Sequence, residues 1–430
     1  MNPSELFSSR KGLLSVGGIA ADKIIGKTGT PVYIYDAAIM RARYKKLESA
    51  IPAGTYIHYS LKANPNPAVA KVFSGMGAGA EVASGGELSI ALKAGFNPGR
   101  VLFAGPGKSE EDLKLAVRSG IGSINVESET ELYRVMEIAE RTRTPKSSPV
   151  RISFRVNLDF RDGHSGEVMI GGPRKFGIDD DALEPLVLRA MSDKRVEPVG
   201  FHCFAGTQIT DTGTLASAYR RFAEWAVGFA QGLDLEVRSL NFGGGLGIPF
   251  SETERELDVR RIGSALEKIR NLVSKSRLFR KTRFLLEPGR YLVGPSGVYV
   301  TRVIDLKTSR GQLYVITDGG IHHALIPIVL NKNYPSAIIN KMGKRRTVDC
   351  VVAGPLCASA DQFSRRLKLP RPEIGDYLGV FNSGAYGYTA GMLFFLSHPT
   401  PSEALVDNGE ARLIRASERP GGGISRKLRI

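Results

Sequence analysis

The sequence predicts an α/β protein that consists of a (β/α)8 barrel and a mainly β domain. Two observations carry this prediction. Between residues 36 and 290, short apolar or β-branched runs alternate with stretches of helical period, which is typical of a parallel sheet with crossover helices. From about residue 291, strand-like runs broken by Gly and Pro replace that alternation. The length of 430 residues suits two domains.

Eight apolar runs form the predicted barrel, and eight βα alternations at this length favour a closed barrel. A doubly wound sheet is the alternative, but no Gly-x-Gly-x-x-Gly turn follows the first run. Helical patterns between the runs include 109–119, 130–143, 215–231 and 256–274, the first of them after an N-cap-like Ser109. The eight runs are 56–61, 80–83, 101–104, 124–126, 151–156, 200–204, 240–242 and 284–286.

The mainly β domain is predicted from the runs 297–306, 312–317, 347–353 and 377–381. The N-terminal segment through Tyr33-Ile34-Tyr35 is also strand-like and precedes the barrel, so we expect it to join this domain. The predicted boundaries are therefore 37–289 for the barrel and 1–36 with 290–410 for the β domain. Residues 411–430 are expected to form a flexible basic tail, because the linker-like Pro420-Gly421-Gly422-Gly423 precedes several cationic residues.

Composition excludes several protein classes. The chain is 42% hydrophobic and 24% charged, which is ordinary for a soluble globular protein. Three scattered cysteines do not suit a disulfide framework or a zinc cluster, so we expect no metal site and a reducing, cytoplasmic location. No stretch approaches the length of a membrane span, and the first residues lack the apolar core of a signal peptide.

The formal net charge of +16 leaves three interpretations open. Nucleic-acid binding is disfavoured, because the charge is dispersed and no aromatic residues are interleaved with the local clusters at residues 344–346 and 365–366. The basic surface could instead meet an acidic protein partner or an anionic substrate. A solvated charged face without a partner is the third interpretation.

Lys62 is the candidate reactive residue. It follows the first barrel run and directly precedes the turn Asn64-Pro65-Asn66-Pro67. A lysine at a strand end in a cleft loses part of its hydration, so its pKa falls and it can form a Schiff base with an aldehyde. A lone lysine more often extends from a loop into solvent. The residues at the other strand ends decide between the two interpretations.

In a barrel, catalytic groups lie at the carboxyl ends of the strands. Pyridoxal phosphate needs a lysine, an acid at the pyridine nitrogen, a phosphate cradle and a group against the ring face. Glu287 is the candidate acid, while Gly243–Gly245 and Arg290 suit the phosphate. Each signal alone would indicate an ordinary turn or surface ion pair, but together they predict a cofactor site. The strand-end groups are Lys62, Glu81, residues 84–87, 202–208, 243–245 and 287–290.

The sequence resembles the fold-type III pyridoxal phosphate decarboxylases, the family of diaminopimelate and ornithine decarboxylases, over nearly its whole length. This resemblance implies an alanine racemase-like TIM barrel, a β domain built from both chain ends, and head-to-tail homodimers that share active sites. The segments that carry it are 30–36, 59–64, 81–87, 175–178, 243–247, 287–291, Gly354-Pro355-Leu356-Cys357 and Gly384-Ala385-Tyr386-Gly387.

The resemblance implies a role for each matching residue. Lys62 is the Schiff-base lysine, and Cys357 is the partner-subunit residue that reprotonates the quinonoid carbanion after carbon dioxide leaves. Glu287 faces the pyridine nitrogen. The remaining implied cofactor residues are Ser84, Phe204, Thr207, Gly244, Gly245, Arg290 and Tyr386.

Three departures from the family pattern lie where such enzymes bind ring and substrate. Phe204 replaces the histidine that stacks on the cofactor ring, and His202 is then expected to be structural. Ala358 replaces the carboxylate that reads the distal ammonium group of the substrate, and Ile326 replaces the arginine that holds its distal carboxylate. Together with Ala358, the pair His322 and His323 is the candidate substrate contact.

The pattern is similar to a subgroup with butirosin-type glutamyl-carrier-protein, siderophore and exosortase-associated decarboxylases. It implies decarboxylation of the α-carboxylate of a modified or carrier-tethered amino acid, with neither nucleic acid nor membrane as partner. A decarboxylase of free diaminopimelate, ornithine or arginine is the alternative within the class. A non-catalytic homologue is the alternative outside it, and alanine racemase chemistry is disfavoured by the Gly-Pro-Leu-Cys and Gly-Ala-Tyr-Gly segments.

Overall fold

The computed structural model describes residues 6–142, 148–158, 167–168, 172–251 and 254–420. The chain divides into two compact units. One unit comprises Arg41–Ile248 and Arg255–Leu292, and the other comprises the residues up to Met40, Pro249–Glu254 and the residues from Val293 onwards. None of the helices in the described ranges has the length and apolar character needed to span a bilayer.

The helices and strands are numbered in chain order. The strands are β1 Ser8–Arg10, β2 Leu13–Val16, β3 Ile19–Ala20, β4 Val32–Asp36, β5 Thr55–Ser60, β6 Gly79–Val82, β7 Val101–Phe103, β8 Ser123–Val126, β9 Val150–Asn157, β10 Glu167–Val168, β11 Ile178–Asp179, β12 Val196–His202, β13 Gly206–Thr207, β14 Ser239–Asn241, β15 Arg283–Leu286, β16 Gly297–Ser309, β17 Gln312–Thr317, β18 Ser336–Ile338, β19 Val348–Ala353, β20 Gln362–Leu369, β21 Tyr377–Phe381, β22 Ser402–Asp407 and β23 Glu410–Arg415. The helices are α1 Ala21–Thr28, α2 Ala37–Glu48, α3 Pro67–Gly75, α4 Gly85–Lys93, α5 Glu110–Ser119, α6 Glu129–Thr142, α7 Leu183–Met191, α8 Thr212–Leu233, α9 Val259–Val273, α10 Arg290–Val293 and α11 Ile326–Val329.

Eight parallel strands close into a barrel, and each of them contains or overlaps one of the eight predicted runs. Their order is β9, β12, β14, β15, β5, β6, β7 and β8, and β8 pairs with β9 to complete the ring. The barrel strands bury apolar side chains against the surrounding helices: Phe154, Phe201 and Leu286 are fully buried, and the Phe201 ring packs edge-on against Trp225 and Phe229 of helix α8. The predicted fold class is therefore confirmed.

Local signals position the helices around the barrel. Ser109 caps α5 and forms a reciprocal capping box with Asp112, so the helix begins at Glu110. The Asp211 and Asp258 side chains cap α8 and α9 by accepting from backbone amides of the first turn, which is why α9 begins at Val259 rather than at the predicted residue 256. Each cap thus fixes the residue at which its helix begins.

The second unit is built on a mixed sheet of order β20, β19, β17, β16, β4, β22 and β23. Strand β21 also pairs with β16, and β18 pairs with β21. Strand β4, from the N-terminal part of the chain, lies between β16 and β22. Its apolar core includes Leu14, Val32, Val298 and Val406. Residues distant in sequence thus form one hydrophobic core.

The predicted flexible tail needs a correction at its start. Residues 411–415 belong to strand β23, which pairs with β22 through a hairpin at Asn408-Gly409. Arg415 donates a 2.5 Å hydrogen bond to the buried carboxylate of Glu403, and Tyr35 donates a second one of 2.7 Å. The hairpin turn and this ion pair hold the strand, whereas composition alone indicated only a basic segment. Residues 421–430 of the predicted tail lie outside the described residues.

Candidate active site

Lys62 lies in a single 3-10 turn directly after the first barrel strand, as the sequence predicts. Strand β5 ends at Ser60, and the turn comprises Leu61–Ala63. The Lys62 Nζ atom lies 3.0 and 3.1 Å from the two carboxylate oxygens of Glu81, at the end of the neighbouring strand β6. The Ser60 hydroxyl also donates to Glu81. Glu81 is buried, whereas 44% of the Lys62 side chain is exposed. The ion pair thus anchors the partly exposed lysine to a buried carboxylate at the barrel rim.

Glu287 follows the eighth strand and is held on both carboxylate oxygens. Asn241 donates a 2.6 Å hydrogen bond to Oε1, and the Nε2 atom of His202 lies 3.3 Å from Oε2 without hydrogen-bond alignment. On its other side, His202 Nδ1 is 3.3 Å from the amide nitrogen of Asn125. The Asn125 side-chain amide thus occupies Nδ1, and Nε2 is the ring nitrogen that faces Glu287. Asn241 in turn accepts from the Gly243 amide at 2.9 Å.

These contacts keep Glu287 ionised inside the barrel. Burial by itself would raise the pKa of its carboxyl group. The electrostatic contacts with His202 and Lys62 and the Asn241 hydrogen bond outweigh burial and hold that pKa below its ordinary value. A buried carboxylate that stays charged is suited to stabilise a protonated ring nitrogen.

The turn at Gly243–Gly245 leaves no room for side chains. A Cβ atom on Gly244 would lie 2.5 Å from the Glu287 carbonyl oxygen, and one on Gly245 would lie 2.5 Å from the Gly206 carbonyl oxygen. The Phe204 ring packs on the same turn, with Cδ2 2.9 Å from the Cβ position of Gly243. The turn therefore places backbone that carries no side chains beside an aromatic ring, an arrangement that suits a phosphate.

Arg290 begins α10 directly after Glu287-Pro288-Gly289. This segment lies against the Lys62 turn, since the Ser60 amide donates to the Pro288 carbonyl oxygen at 3.4 Å. A Cβ atom on Gly289 would approach Ala63 to 2.9 Å. Glycine thus allows the segment that carries Glu287 and Arg290 to pack closely on the turn that carries Lys62.

Ser84 caps helix α4 by accepting from the Glu87 amide at 3.2 Å, while the Glu87 side chain accepts from the Ala83 amide at 2.8 Å. Burial raises the pKa of Glu87 to about 7, with the neighbouring Glu81 adding to the shift. Ser84 and Glu87 thus form a capping pair that adds a second carboxyl group to the surroundings of Lys62.

Thr207, another predicted cofactor residue, lies in β13, which pairs with β10.

In the other unit, Asp361 organises the loop that carries Cys357. Its carboxylate accepts from the amides of Leu356 and Ile321, both at 2.8 Å. Its backbone accepts from Gly354 at 3.1 Å and donates to Ala358 at 3.0 Å. Cys357 is exposed on this loop. Four hydrogen bonds to one residue therefore fix the turn that presents the thiol.

The structure buries both candidate substrate histidines. His323 lies 3.0 Å from the Tyr299 hydroxyl and 2.9 Å from the Pro399 carbonyl oxygen, so both ring nitrogens have partners. The His322 ring packs 5.0 Å from that of His398, and burial lowers its pKa to about 4. Neither imidazole reaches solvent, so direct contact of His322 or His323 with a substrate is not supported. Burial reflects the packing of their loop on residues 391 and 399.

Tyr386 and Ile326 complete the predicted set in this unit. Tyr386 lies in the Gly384–Gly387 turn with a backbone φ of +54° and is partly buried. Ile326 begins α11. The partial exposure of Tyr386 leaves its side chain accessible to a ligand.

The residues brought together in the barrel fit a phosphorylated aldehyde cofactor. Two observations support this fit. The turn at Gly243–Gly245 has no space for a Cβ atom on Gly244 or Gly245, and the buried carboxylate of Glu287 stays ionised. Sequence reasoning missed Asp361, which holds the Cys357 loop, and misjudged His202, which was expected to be structural but contacts Glu287. It named Glu81 among the strand-end groups but did not predict its contact with Lys62. Only the strand-end position of His202 and Glu81 signalled a role in advance.

Comparison with known proteins agrees with this site. The family model for "Pyridoxal-dependent decarboxylase, pyridoxal binding domain" matches residues 37–294. The chain is 36% identical to the L-glutamyl-[BtrI acyl-carrier protein] decarboxylase of Niallia circulans, covering 90% of this chain and 91% of that one. It is 32% identical to the diaminopimelate decarboxylase of Aquifex aeolicus, covering 95% and 94%.

A solved structure shows the same fold. The crystal structure of Helicobacter pylori diaminopimelate decarboxylase complexed with L-lysine superposes with a TM-score of 0.83 at 28% identity, covering 93% of this chain and 96% of that one. The family match extends over well over half of the chain and includes the lysine turn, the glycine turn and Glu287. The chain therefore belongs to the pyridoxal-dependent decarboxylases and is an amino acid decarboxylase that uses pyridoxal phosphate.

Proposed function

We propose that the protein removes the α-carboxylate of an amino acid whose distal end is modified or tethered to a carrier protein. The observation that carries this proposal is Ala358, beside Cys357 on the loop braced by Asp361. A methyl group there offers no charge to a distal ammonium group, and Ile326 offers none to a distal carboxylate. The named activity of the Niallia circulans relative supports a carrier-bound substrate.

The barrel residues would hold the cofactor in the following way. Lys62 would bind its aldehyde carbon, Glu287 its pyridine nitrogen, and Phe204 would pack against the ring. Gly244, Gly245, Arg290 and Tyr386 would bind its phosphate. When bound, pyridoxal phosphate accepts the electron pair that carbon dioxide leaves behind. Glu287 assists because it is held ionised on both oxygens and so keeps a proton on the ring nitrogen.

Two further residues handle protons and charge. Glu81 contacts the Lys62 ammonium through both carboxylate oxygens and would hold the lysine nitrogen in place at the cofactor site. Cys357 would return a proton to the substrate Cα. We propose that it does so from the partner subunit of a homodimer with shared active sites. A reducing, cytoplasmic location would keep this exposed thiol free.

A substrate panel tests the proposal. The holoenzyme is given L-glutamyl carrier protein, the matching glutamyl-pantetheine thioester, and free glutamate, diaminopimelate, ornithine and arginine, and carbon dioxide release is measured. We expect the two thioesters to be decarboxylated and the free amino acids to react at least about a hundredfold more slowly, because no charged group reads their distal ends. Efficient turnover of free diaminopimelate or ornithine would overturn the proposal. Lys62→Ala supplies the background rate.

A further inference from the structure

A basic surface lies along one edge of the second unit. We define it as the basic edge strand: Arg365, Arg366 and Lys368 of β20, together with Lys344, Arg345 and Arg346 before β19. All six side chains are exposed. Strand β20 is the last strand of its sheet, and β19 is its pairing partner. The end of β20 is tied to this basic segment by the hydrogen bond of 2.9 Å from the Thr347 amide to the Leu369 carbonyl oxygen.

A β-bulge turns two arginines outwards at once. Cys350 pairs with Leu367 and Val352 pairs with Ser364, so two residues of β20, Arg365 and Arg366, lie opposite one residue of β19. In a regular strand, neighbouring side chains point to opposite faces and one of the two would point into the unit. The bulge therefore concentrates positive charge on the exposed side of the edge.

The charges of the basic edge strand are hardly compensated. Among the described residues, the acidic side chain that pairs with it is Asp349, 3.8 Å from Lys368, and both of these side chains are largely exposed. An exposed pair at that distance contributes little. Short helix α11 lies against β20 and leaves Val329 61% exposed. An apolar side chain next to unpaired cations matches a protein interface with an apolar centre and a charged rim.

The basic edge strand continues directly from the Cys357 loop. Asp361, which braces that loop, is followed at once by the first residue of β20. Four residues of extended strand span about 13 Å, so Arg365 lies within that distance of Asp361. A protein bound on this edge would thus have its contact surface close to the candidate proton donor.

We propose that the basic edge strand is the docking surface for an acidic carrier protein, which delivers its tethered aminoacyl group to the site containing Cys357. This inference rests on the proposed function. Charged residues on an edge strand also prevent strands of different molecules from pairing. That role requires charge of either sign, whereas the basic edge strand is almost entirely positive and adjoins the Cys357 loop.

The test compares two double variants that change the net charge equally. Arg365→Glu with Arg366→Glu alters the basic edge strand, and Arg280→Glu with Lys281→Glu alters two exposed cations of the barrel unit. The Arg365 side chain can be exchanged without losing the amide hydrogen bond to Asn333, so folding should persist and is checked by thermal unfolding. Each holoenzyme is assayed with L-glutamyl carrier protein and with glutamyl-pantetheine at several salt concentrations.

We expect the edge variant to lose at least about tenfold in kcat/KM for the carrier-bound substrate, through KM, and to lose most of the salt dependence. Its kcat/KM for glutamyl-pantetheine should equal that of the unaltered enzyme, as should both values for the control variant. Equal losses on both substrates, or no loss on the carrier, would overturn the docking surface while leaving the proposed function intact. If the unaltered enzyme decarboxylates neither thioester, the proposed function fails as well.

Discussion

The Nε2 atom of His202 lies 3.3 Å from Oε2 of Glu287, with both side chains buried in the barrel. From the sequence, His202 was expected to be a structural residue, because Phe204 occupies the position of the histidine that stacks on the cofactor ring in related enzymes. The contact instead makes His202 part of the support of the carboxylate that would face the pyridine nitrogen. Asn125 fixes the ring orientation from the other side. Comparable supporting contacts orient the ligands of metal sites.

Replacement of His202 tests this role. Gln places a donor near the position of Nε2, whereas Leu removes it, so we expect His202→Leu to bind pyridoxal phosphate about tenfold to a hundredfold more weakly and His202→Gln to recover most of the loss. The measurement is an absorbance titration of the cofactor-free protein. Equal affinities for the Leu variant and the unaltered protein would show that the contact does not act on the cofactor.

Replacement of Gly244 tests the proposed phosphate-binding turn at Gly243–Gly245. A Cβ atom on Gly244 would meet the Glu287 carbonyl oxygen at 2.5 Å, so Gly244→Ala must shift the turn and should cost about 1–3 kcal/mol of unfolding free energy together with cofactor affinity. Gly228→Ala in helix α8 is the control, because no atom lies within 4 Å of its Cβ position and alanine favours helix. Denaturant unfolding and cofactor titration of both variants check this. A Gly244→Ala protein as stable and as tightly loaded as the control contradicts it.

Replacement of Asp361 tests whether its hydrogen bonds hold the loop that carries Cys357. Asn offers one acceptor oxygen in place of two, so one of the amides of Leu356 and Ile321 loses its partner, at a cost of about 1–3 kcal/mol. We expect the loop to loosen and iodoacetamide to alkylate Cys357 several-fold faster, as followed by mass spectrometry. The buried Cys203 and Cys350 serve as internal references.

The matched control for Asp361→Asn is Asp349→Asn, an exposed residue of the adjoining strand whose side chain contacts Lys368 at 3.8 Å. Its alkylation rate should equal that of the unaltered protein. If Asp361→Asn leaves the rate unchanged, the carboxylate does not hold the loop.

Glu87 predicts a pH dependence of stability. Burial raises its pKa from the ordinary 4.5 to about 7, with Glu81 and Lys62 as the facing charges. Between these values the folded protein keeps a proton that the unfolded chain releases, so the free energy of unfolding falls as the pH rises. Relative to Glu87→Gln, the unaltered protein should lose roughly 1–3 kcal/mol between about pH 5 and about pH 8. Denaturant unfolding of the cofactor-free proteins measures this difference, and parallel pH profiles would refute it.

The eight barrel strands were predictable because each is a compact apolar run that must be buried, as β9 and β15 illustrate. Lys62, Glu287 and the glycine turn were predictable for a related reason: strand ends of a barrel converge, so their position in the alternation placed them at one rim. A periodic pattern thus carries both the fold and the approximate location of the site.

Contacts between distant residues were not predictable. His202 and Asp361 act on partners that only the folded chain brings near, and the burial of His322 and His323 depends on packing against residues far along the sequence. Strand β23 was missed because its ion pair between Arg415 and Glu403 joins a basic segment to a carboxylate that local composition does not reveal.

The most direct test of the central claim is to locate the lysine that holds the cofactor. The holoenzyme is treated with borohydride, which fixes pyridoxal phosphate on its lysine, and the digested protein is analysed by mass spectrometry. The strand-end turn beside Glu81 and Gly289 predicts a single pyridoxyl group on Lys62. A pyridoxyl group on any other lysine, with Lys62 unmodified, would contradict the account.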